Sequence, residues 1–173
     1  MPLFSRRKAL PAGIRSRLHL DPRDGVLATA ELTDGRWAVA TRHTLVLVAA
    51  ADDGPVERHP WTDVDRGSLD AESRTLRVRW ADGTATDLPL AEDTAAVRFA
   101  QGFRERVQQS VVLARTVPVP GGAQVRIALR RDADGHLFSQ VLGDASVDLT
   151  APAVAAVVDA AEDAMRDEAG LPR

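Results

Sequence analysis

The stretch that decides the fold is residues 92–114, EDTAAVRFAQGFRERVQQSVVLA. Its large apolar side chains recur every four positions, at Phe99, Phe103, Val107 and Val111, whereas most of the positions between them carry alanine, arginine, glutamine or glutamate. This period is typical of an amphipathic helix with one buried stripe. We therefore predict a single helix over the whole stretch, packed as a lid on the elements that precede it.

Short strands separated by turn residues come before this helix. Asp34-Gly35 and Asp82-Gly83 have the composition of tight hairpin turns, in which glycine supplies a positive φ. Pro60 lacks an amide donor and places its strand at the edge of a sheet. The seven predicted strands are residues 26–32, 36–41, 44–50, 56–61, 64–69, 75–80 and 84–88.

A smaller unit follows the helix. Residues 116–122 are rich in proline and glycine and are predicted to be a linker. Alternating strands at 124–131 and 136–142 then lead to a last helix, which begins near Thr150 and ends before Gly170. The predicted buried positions of this tail are Val125, Ile127, Leu129, Val141, Val154, Val157, Val158, Ala161 and Met165. Arg126 and Arg130 fall on the opposite face of the first strand.

The chain thus divides into four segments by sequence. Residues 1–20 are a basic arm, mobile or loosely docked through Ile14, Leu18 and Leu20, and residues 21–115 are the main domain. The linker occupies 116–122, and 123–173 form a ββα tail that packs on the first domain or completes an oligomer interface. The predicted class is α+β, mainly β.

Composition limits the function classes. The chain has 173 residues, a net charge of −3 and no cysteine, which excludes disulfides, thiolate metal sites and a cysteine nucleophile. The longest apolar run, residues 45–51, is far shorter than the roughly 20 residues of a membrane helix. No apolar segment follows the basic N-terminus, so we predict no signal peptide and a cytoplasmic location.

The order of elements, together with three phrases, resembles the pleckstrin-homology-like (PH-like) fold. The phrases are TRHTLVLV (41–48), PWTDV (60–64) and TLRVRWADG (75–83). The resemblance covers about residues 20–114 and implies a seven-stranded, two-sheet sandwich or partly open barrel, capped by a C-terminal helix. With its ββα tail, the whole chain is also similar to uncharacterised actinobacterial proteins, which implies a fold and no activity.

One loop departs from the lipid-binding members of that fold. Those members carry a basic cluster around the first hairpin loop, whereas residues 33–35 here are Thr-Asp-Gly. Inositol-phosphate binding is therefore not carried over. PH-like proteins also bind peptides and other domains along the groove between a strand and the helix, and this use stays open.

No catalytic constellation is present in the sequence. The histidines, at positions 19, 43, 59 and 136, lack the close spacing of ligands on one element, and no serine lies in a nucleophile-elbow context. We predict no enzyme activity, no catalytic residue, no cofactor and no metal site.

The leading hypothesis is a binding or scaffolding module for a protein partner. Trp61, with His59 beside it, lies at the end of a predicted edge strand that could accept a partner strand. Tryptophan is enriched in binding hot spots, which makes Trp61 and His59 the candidate contacts, although a core position for Trp61 is the competing interpretation.

An electrostatic hypothesis stands beside it. The first 20 residues contain five basic side chains and no acidic one. They could attach the chain to an anionic membrane, or simply aid solubility. Nucleic acid is disfavoured because the remainder of the chain is acidic. The basic side chains are Arg6, Arg7, Lys8, Arg15 and Arg17.

Overall fold

The computed structural model describes residues 10–142 and 147–171. Within these ranges the chain is α+β and mainly β, with three antiparallel sheets, three α-helices and no closed barrel, which confirms the predicted class. The helices are α1 (Ala12–Arg17), α2 (Thr94–Ser110) and α3 (Pro152–Glu168), and a 3₁₀ turn covers Trp61–Asp63. The strands are β1 (Val26–Glu31), β2 (Trp37–Thr41), β3 (Thr44–Val48), β4 (Val56–Pro60), β5 (Val64–Asp70), β6 (Thr75–Trp80), β7 (Ala85–Pro89), β8 (Val111–Pro118), β9 (Gln124–Arg131) and β10 (Leu137–Leu142).

Strands β1–β7 and helix α2 form a unit that we call the body. Its two sheets have the orders β1-β2-β3-β4 and β5-β6-β7, and an isolated bridge between Leu32 and Leu90 joins them. Helix α2 packs its Phe99 and Phe103 rings into the shared core, where the apolar faces of both sheets meet. The seven predicted strands are therefore all present, and β4 is at the sheet edge where Pro60 placed it.

Helix α2 is shorter than the sequence predicted. Asp93 caps its first turn by accepting a hydrogen bond from the amide of Ala96 (2.8 Å), and the helix ends at Ser110. Val111 has extended backbone angles and begins β8. Val111 continues the four-residue spacing of the helix, but it belongs to the strand. After it, Leu113 and Val117 face the tail core, as expected from the two-residue period of a strand.

Strands β8–β10 and helix α3 form a second unit, which we call the tail. Its sheet has the order β10-β9-β8, so the tail is βββα and not ββα. The prediction of a linker is wrong over its first part, because residues 116–118 pair with β9 and only residues 119–122 form the hairpin turn. The apolar stripe of α3 packs on β9 as predicted, with Val154, Val158 and Met165 buried.

The N-terminal segment is docked over the part that the structure describes. Leu10, Ile14 and Leu18 lie at successive four-residue intervals on and beside α1 and pack against the outer face of β2 and β3. Both faces of these strands are consequently buried, one by α1 and the other by the body core. None of the helices in residues 10–142 and 147–171 is long and apolar enough to cross a membrane.

Candidate functional site

A groove runs between β5 and α2, with a volume of about 1250 Å³. One wall comes from β5 and its turn into β6, and the other comes from one face of α2. Buried apolar side chains of the body core contribute to its lining. These are Leu76, Leu90, Ala96 and Phe103.

The two walls are in close contact at Gly67. Gly67 on β5 lies against the ring of Phe103, which is 2% exposed. Glycine allows this approach because it has no Cβ. Further along α2, the wall is made of the small residues Ala96 and Ala100, which leave space between helix and strand. Gly67 thus allows one close contact, and the alanines leave an open groove beside it.

Two large apolar side chains line the groove and are exposed. Leu69 on β5 is 52% exposed and Val97 on α2 is 59% exposed. They continue the apolar surface of the lining outward, towards solvent. Exposed apolar surface of this kind, next to a concave site, is typical of a place where another molecule binds.

Strand β5 is the terminal strand of its sheet. It pairs with β6 on one side, and no strand in the described ranges pairs with its other side. An edge strand has backbone N–H and C=O groups available for an added strand. The groove therefore combines apolar pockets with the means to hold an extended backbone.

Most of the charges in the groove are already paired. Arg74 contacts Glu92 at 2.6 Å, and its hydrogen bond lowers the pKa of the Glu92 carboxyl. Arg126 of β9 forms an ion pair with the buried Asp65 at the opposite end. The pairs hold the two ends of the groove, one where β5 turns into β6 and the other where the tail meets the body.

A buried arginine links tail and body behind that second end. Arg130 of β9 is fully buried, and it donates to the Val64 carbonyl (2.8 Å) and the Ser110 hydroxyl (2.8 Å). Burial lowers the pKa of its guanidinium, and the nearby charge of Asp65 opposes that shift. The sequence placed Arg126 and Arg130 on the outer face of a small sheet. That face instead packs on the body, so β9 is buried on both sides.

The structure buries one of the two predicted partner contacts, Trp61, and leaves the other, His59, half-buried. The Trp61 side chain is part of the body core, 6% exposed, and its indole Nε1 donates to the Thr41 carbonyl at 3.1 Å. The His59 ring stacks on Trp80 with their centroids 4.2 Å apart. Core packing, the competing interpretation of Trp61, is correct, since the 3₁₀ turn after Pro60 directs the indole inward.

The basic arm is only partly within the described ranges. Arg15 is exposed on α1, whereas Arg17 donates to the carbonyls of Ala49 (3.1 Å) and Gly54 (2.9 Å) and so holds α1 on the sheet. Its charge is therefore engaged in the fold. Arg6, Arg7 and Lys8 lie outside the described residues.

Asp132, Asp134 and His136 are a group of potential ligands for a cation. Their ligand atoms lie within 4.8 Å of one another in the β9–β10 turn. Asp132 also accepts hydrogen bonds from the backbone amides of Asp134 (2.9 Å) and His136 (2.8 Å). These bonds are those of an aspartate that stabilises a hairpin turn, and they account for the cluster without an ion.

Comparisons with known proteins add no assignment. No protein-family model, no curated protein and no solved structure matches the chain. The function must therefore be argued from the groove.

The residues of the groove were not identified from sequence. Leu69 and Val97 gave only a weak indication of a binding surface. Each is a large apolar residue at a position outside the buried positions of its own strand or helix. The signal becomes interpretable only when the fold brings both residues to one groove.

Proposed function

We propose that this chain is a non-catalytic binding module for a protein partner, and that the partner places an extended apolar segment in the groove between β5 and α2. The observation that carries the proposal is the combination of an unpaired edge strand with the exposed side chains of Leu69 and Val97 along one groove. An edge strand recognises backbone, and apolar pockets select side chains.

We further propose that the body is a PH-like domain. The support is the element order, seven antiparallel strands in two sheets followed by a helix that packs between them. The short acidic loop at Asp34 supports a protein ligand over a phosphoinositide, because the arginine beside it, Arg36, already donates two side-chain hydrogen bonds to Asp34 (2.9 and 2.7 Å).

A matched pair of double variants tests the groove. In the first, Leu69→Ser and Val97→Ser remove the exposed apolar side chains of the groove. In the control, Leu27→Ser and Val26→Ser remove two exposed apolar side chains of β1; Leu27 is 52% exposed, as is Leu69. All four side chains are substantially exposed, so both variants should fold.

The measurement uses a displayed library of random twelve-residue peptides selected on the full chain. The selected peptides should bind the Leu69, Val97 variant about tenfold more weakly or worse, as expected for loss of an apolar hot spot, and the control within about twofold. Equal binding to both variants would overturn the proposal, as would a library from which no peptide binds saturably.

A further inference from the structure

We infer that β10 is a second docking edge of this chain, and that it pairs with an antiparallel partner segment in which every other side chain is lysine or arginine. This edge is in the tail and is separate from the groove, so the inference goes beyond the proposed function. It follows from the composition of β10, from the direction of its backbone groups and from the charges beside it.

Strand β10 is the least protected of the edge strands. The three described sheets have six edges, and charged side chains, proline and β-bulges are features that hinder the pairing of an edge with another strand. Strands β1, β5 and β8 each contain a bulge and a charged residue, and β4 and β7 each contain a proline and a charged residue. Strand β10, LFSQVL, has a regular register and contains neither a charged residue nor a proline. It is therefore open to an added strand along its whole length.

The backbone groups of alternate residues on β10 point away from the sheet. Next to the pair that Leu137 forms with β9, the Asp132 N–H donates to the His136 carbonyl at 3.0 Å. This bond identifies the Leu137 pair as a non-hydrogen-bonded pair of the ladder, and the pattern alternates from there. The N–H and C=O groups of Leu137, Ser139 and Val141 therefore point to the free edge, where no hydrogen bond from the described residues reaches them.

An acidic stripe of α3 borders this edge. Between the stripe and residues 137–139 lies a cleft of about 540 Å³, and the charged residues that line it are Asp159, Glu162, Asp163 and Arg166. Three carboxylates thus accompany one guanidinium. Burial and the charge of Asp159 raise the pKa of the Glu162 carboxyl, and the charge of Arg166 opposes the shift. The cleft therefore favours a positively charged ligand.

The geometry of the edge determines where the partner's basic residues lie. The side chains of Leu137 and Val141 pack on the tail core, on the face of the sheet that α3 covers. In an antiparallel strand added to β10, the residues that hydrogen-bond to the outward groups direct their side chains to this same face. Lysine or arginine at those alternate positions would face the carboxylates of the stripe, and opposite charges placed in this way stabilise strand pairing.

A second copy of this chain is the less favourable occupant. Antiparallel pairing of two β10 strands would put both α3 helices on one face of the joined sheet, with their acidic stripes towards each other. Like charges at such short range oppose association. The stripe thus disfavours self-pairing and favours a basic segment.

The test uses the full chain carrying Leu69→Ser and Val97→Ser, which lacks the exposed apolar side chains of the groove. A displayed library of random twelve-residue peptides is selected on it at low salt. The selected peptides should carry lysine or arginine at alternate positions. N-methylation of the amides at these basic positions should weaken binding about tenfold or more, because each change removes a hydrogen bond to β10, whereas N-methylation between them should change binding less than about threefold.

Ser139→Pro blocks the edge without removing a bond of the sheet. The Ser139 N–H points to the free side, and proline is tolerated at such positions of edge strands. Binding of the selected peptides should weaken about tenfold or more. Thr116→Pro is the matched control on β8, the opposite edge of the same sheet. The bond from the Val119 N–H to the Ala123 carbonyl shows by the same alternation that the Thr116 N–H also points outward, and this variant should bind within about twofold of the bait.

A second pair of variants tests the charge. Asp159→Asn with Asp163→Asn should weaken binding about fivefold or more, and added salt should weaken binding to this variant less than to the bait. Asp52→Asn with Asp53→Asn removes the same charge from an exposed loop outside the cleft, and should bind within about twofold of the bait.

The outcomes are separate from those of the proposed function. Selected peptides without alternating basic residues would overturn the inference, as would a library from which no peptide binds saturably. A wild-type chain that sediments as a dimer, and that Ser139→Pro converts to a monomer, would show that a second copy occupies the edge and would also overturn it. The proposed function would stand in each case, because its test depends on Leu69 and Val97.

Discussion

Gly67 on β5 and Phe103 on α2 are in contact at a distance that no other residue at position 67 would allow. A Cβ at this position would lie 2.3 Å from Cε1 of the Phe103 ring, well inside van der Waals contact. Because the ring is buried, it has little room to move away. The contact therefore determines how closely the two walls of the groove approach.

Substitution Gly67→Ala should destabilise the protein by about 1–3 kcal/mol through overpacking. The measurement is chemical denaturation followed by tryptophan fluorescence. Gly102→Ala is the control, because its Cβ would lie 3.5 Å from that of Ala28, an ordinary contact, and alanine favours a helix by up to about 1 kcal/mol. Adding Phe103→Leu to the Gly67→Ala variant should recover part of the loss. Equal stability of the two alanine variants would show that the Phe103 ring does not require a glycine at position 67.

Trp61→Phe should cost more stability than Trp37→Phe. Both indoles are 6% exposed, but only that of Trp61 donates to a carbonyl, that of Thr41, among the described residues. Losing this bond leaves a buried acceptor unpaired, which adds about 1–3 kcal/mol to the cost of the lost volume. Equal free energies of unfolding for the two variants would show that the hydrogen bond contributes nothing net.

Arg130→Met should destabilise the protein by about 2–4 kcal/mol, because it removes the two hydrogen bonds that Arg130 donates to the body and leaves the Val64 carbonyl unpaired. Arg131, the next residue, is exposed, so Arg131→Met should change the unfolding free energy by less than about 0.5 kcal/mol. Urea denaturation of both variants makes the comparison. If Arg130→Met is as stable as the wild-type chain, the free-energy cost of desolvating the Arg130 guanidinium equals the stabilisation from its hydrogen bonds, and the prediction is wrong.

Asp34→Asn should lower stability at neutral pH, by less than about 1 kcal/mol because the pair is partly exposed. Hydrogen bonds from Arg36 lower the pKa of the Asp34 carboxyl below its ordinary value. A lowered pKa in the folded state contributes stability above the unfolded-state value, near pH 4, and that contribution is lost as the pH falls through the folded-state value. The difference in unfolding free energy between the wild-type chain and the variant should therefore be constant above about pH 5 and shrink below about pH 4. Denaturation midpoints across this range test it, and a difference independent of pH would rule out the ion pair as its cause.

The strands of the body were predictable because their signals are local. Turn residues such as Asp34-Gly35 mark where one strand ends and the next begins. In β6 the alternation of apolar and charged residues predicted that Leu76, Val78 and Trp80 share one face, and that face is in the core. The stripe of α2 was also visible. What periodicity could not determine was its end, since Val111 satisfies both a helical and a strand pattern.

The errors share a cause, which is burial by distant parts of the chain. Arg130 had the composition of a solvent-facing position, and only the packing of tail on body buries it. Trp61 had two interpretations from sequence, a partner contact and a core position, and the turn after Pro60 places it in the core. Likewise the groove depends on β5 and α2 being neighbours in space, a relationship between residues some 30 positions apart that local patterns do not contain.

The passage from α2 into β8 has a mechanical consequence. Ser110 ends the helix and Val111 begins the strand, with no residue between them to act as a hinge. The tail sheet is thus covalently joined to one wall of the groove, and through Arg126 and Arg130 it is fastened to the start of the other. The tail sheet therefore fixes the separation of β5 and α2 at this end of the groove. A fragment cut at residue 115, or the body moved alone into another protein, would keep both walls of the groove and lose the sheet that fixes their separation there.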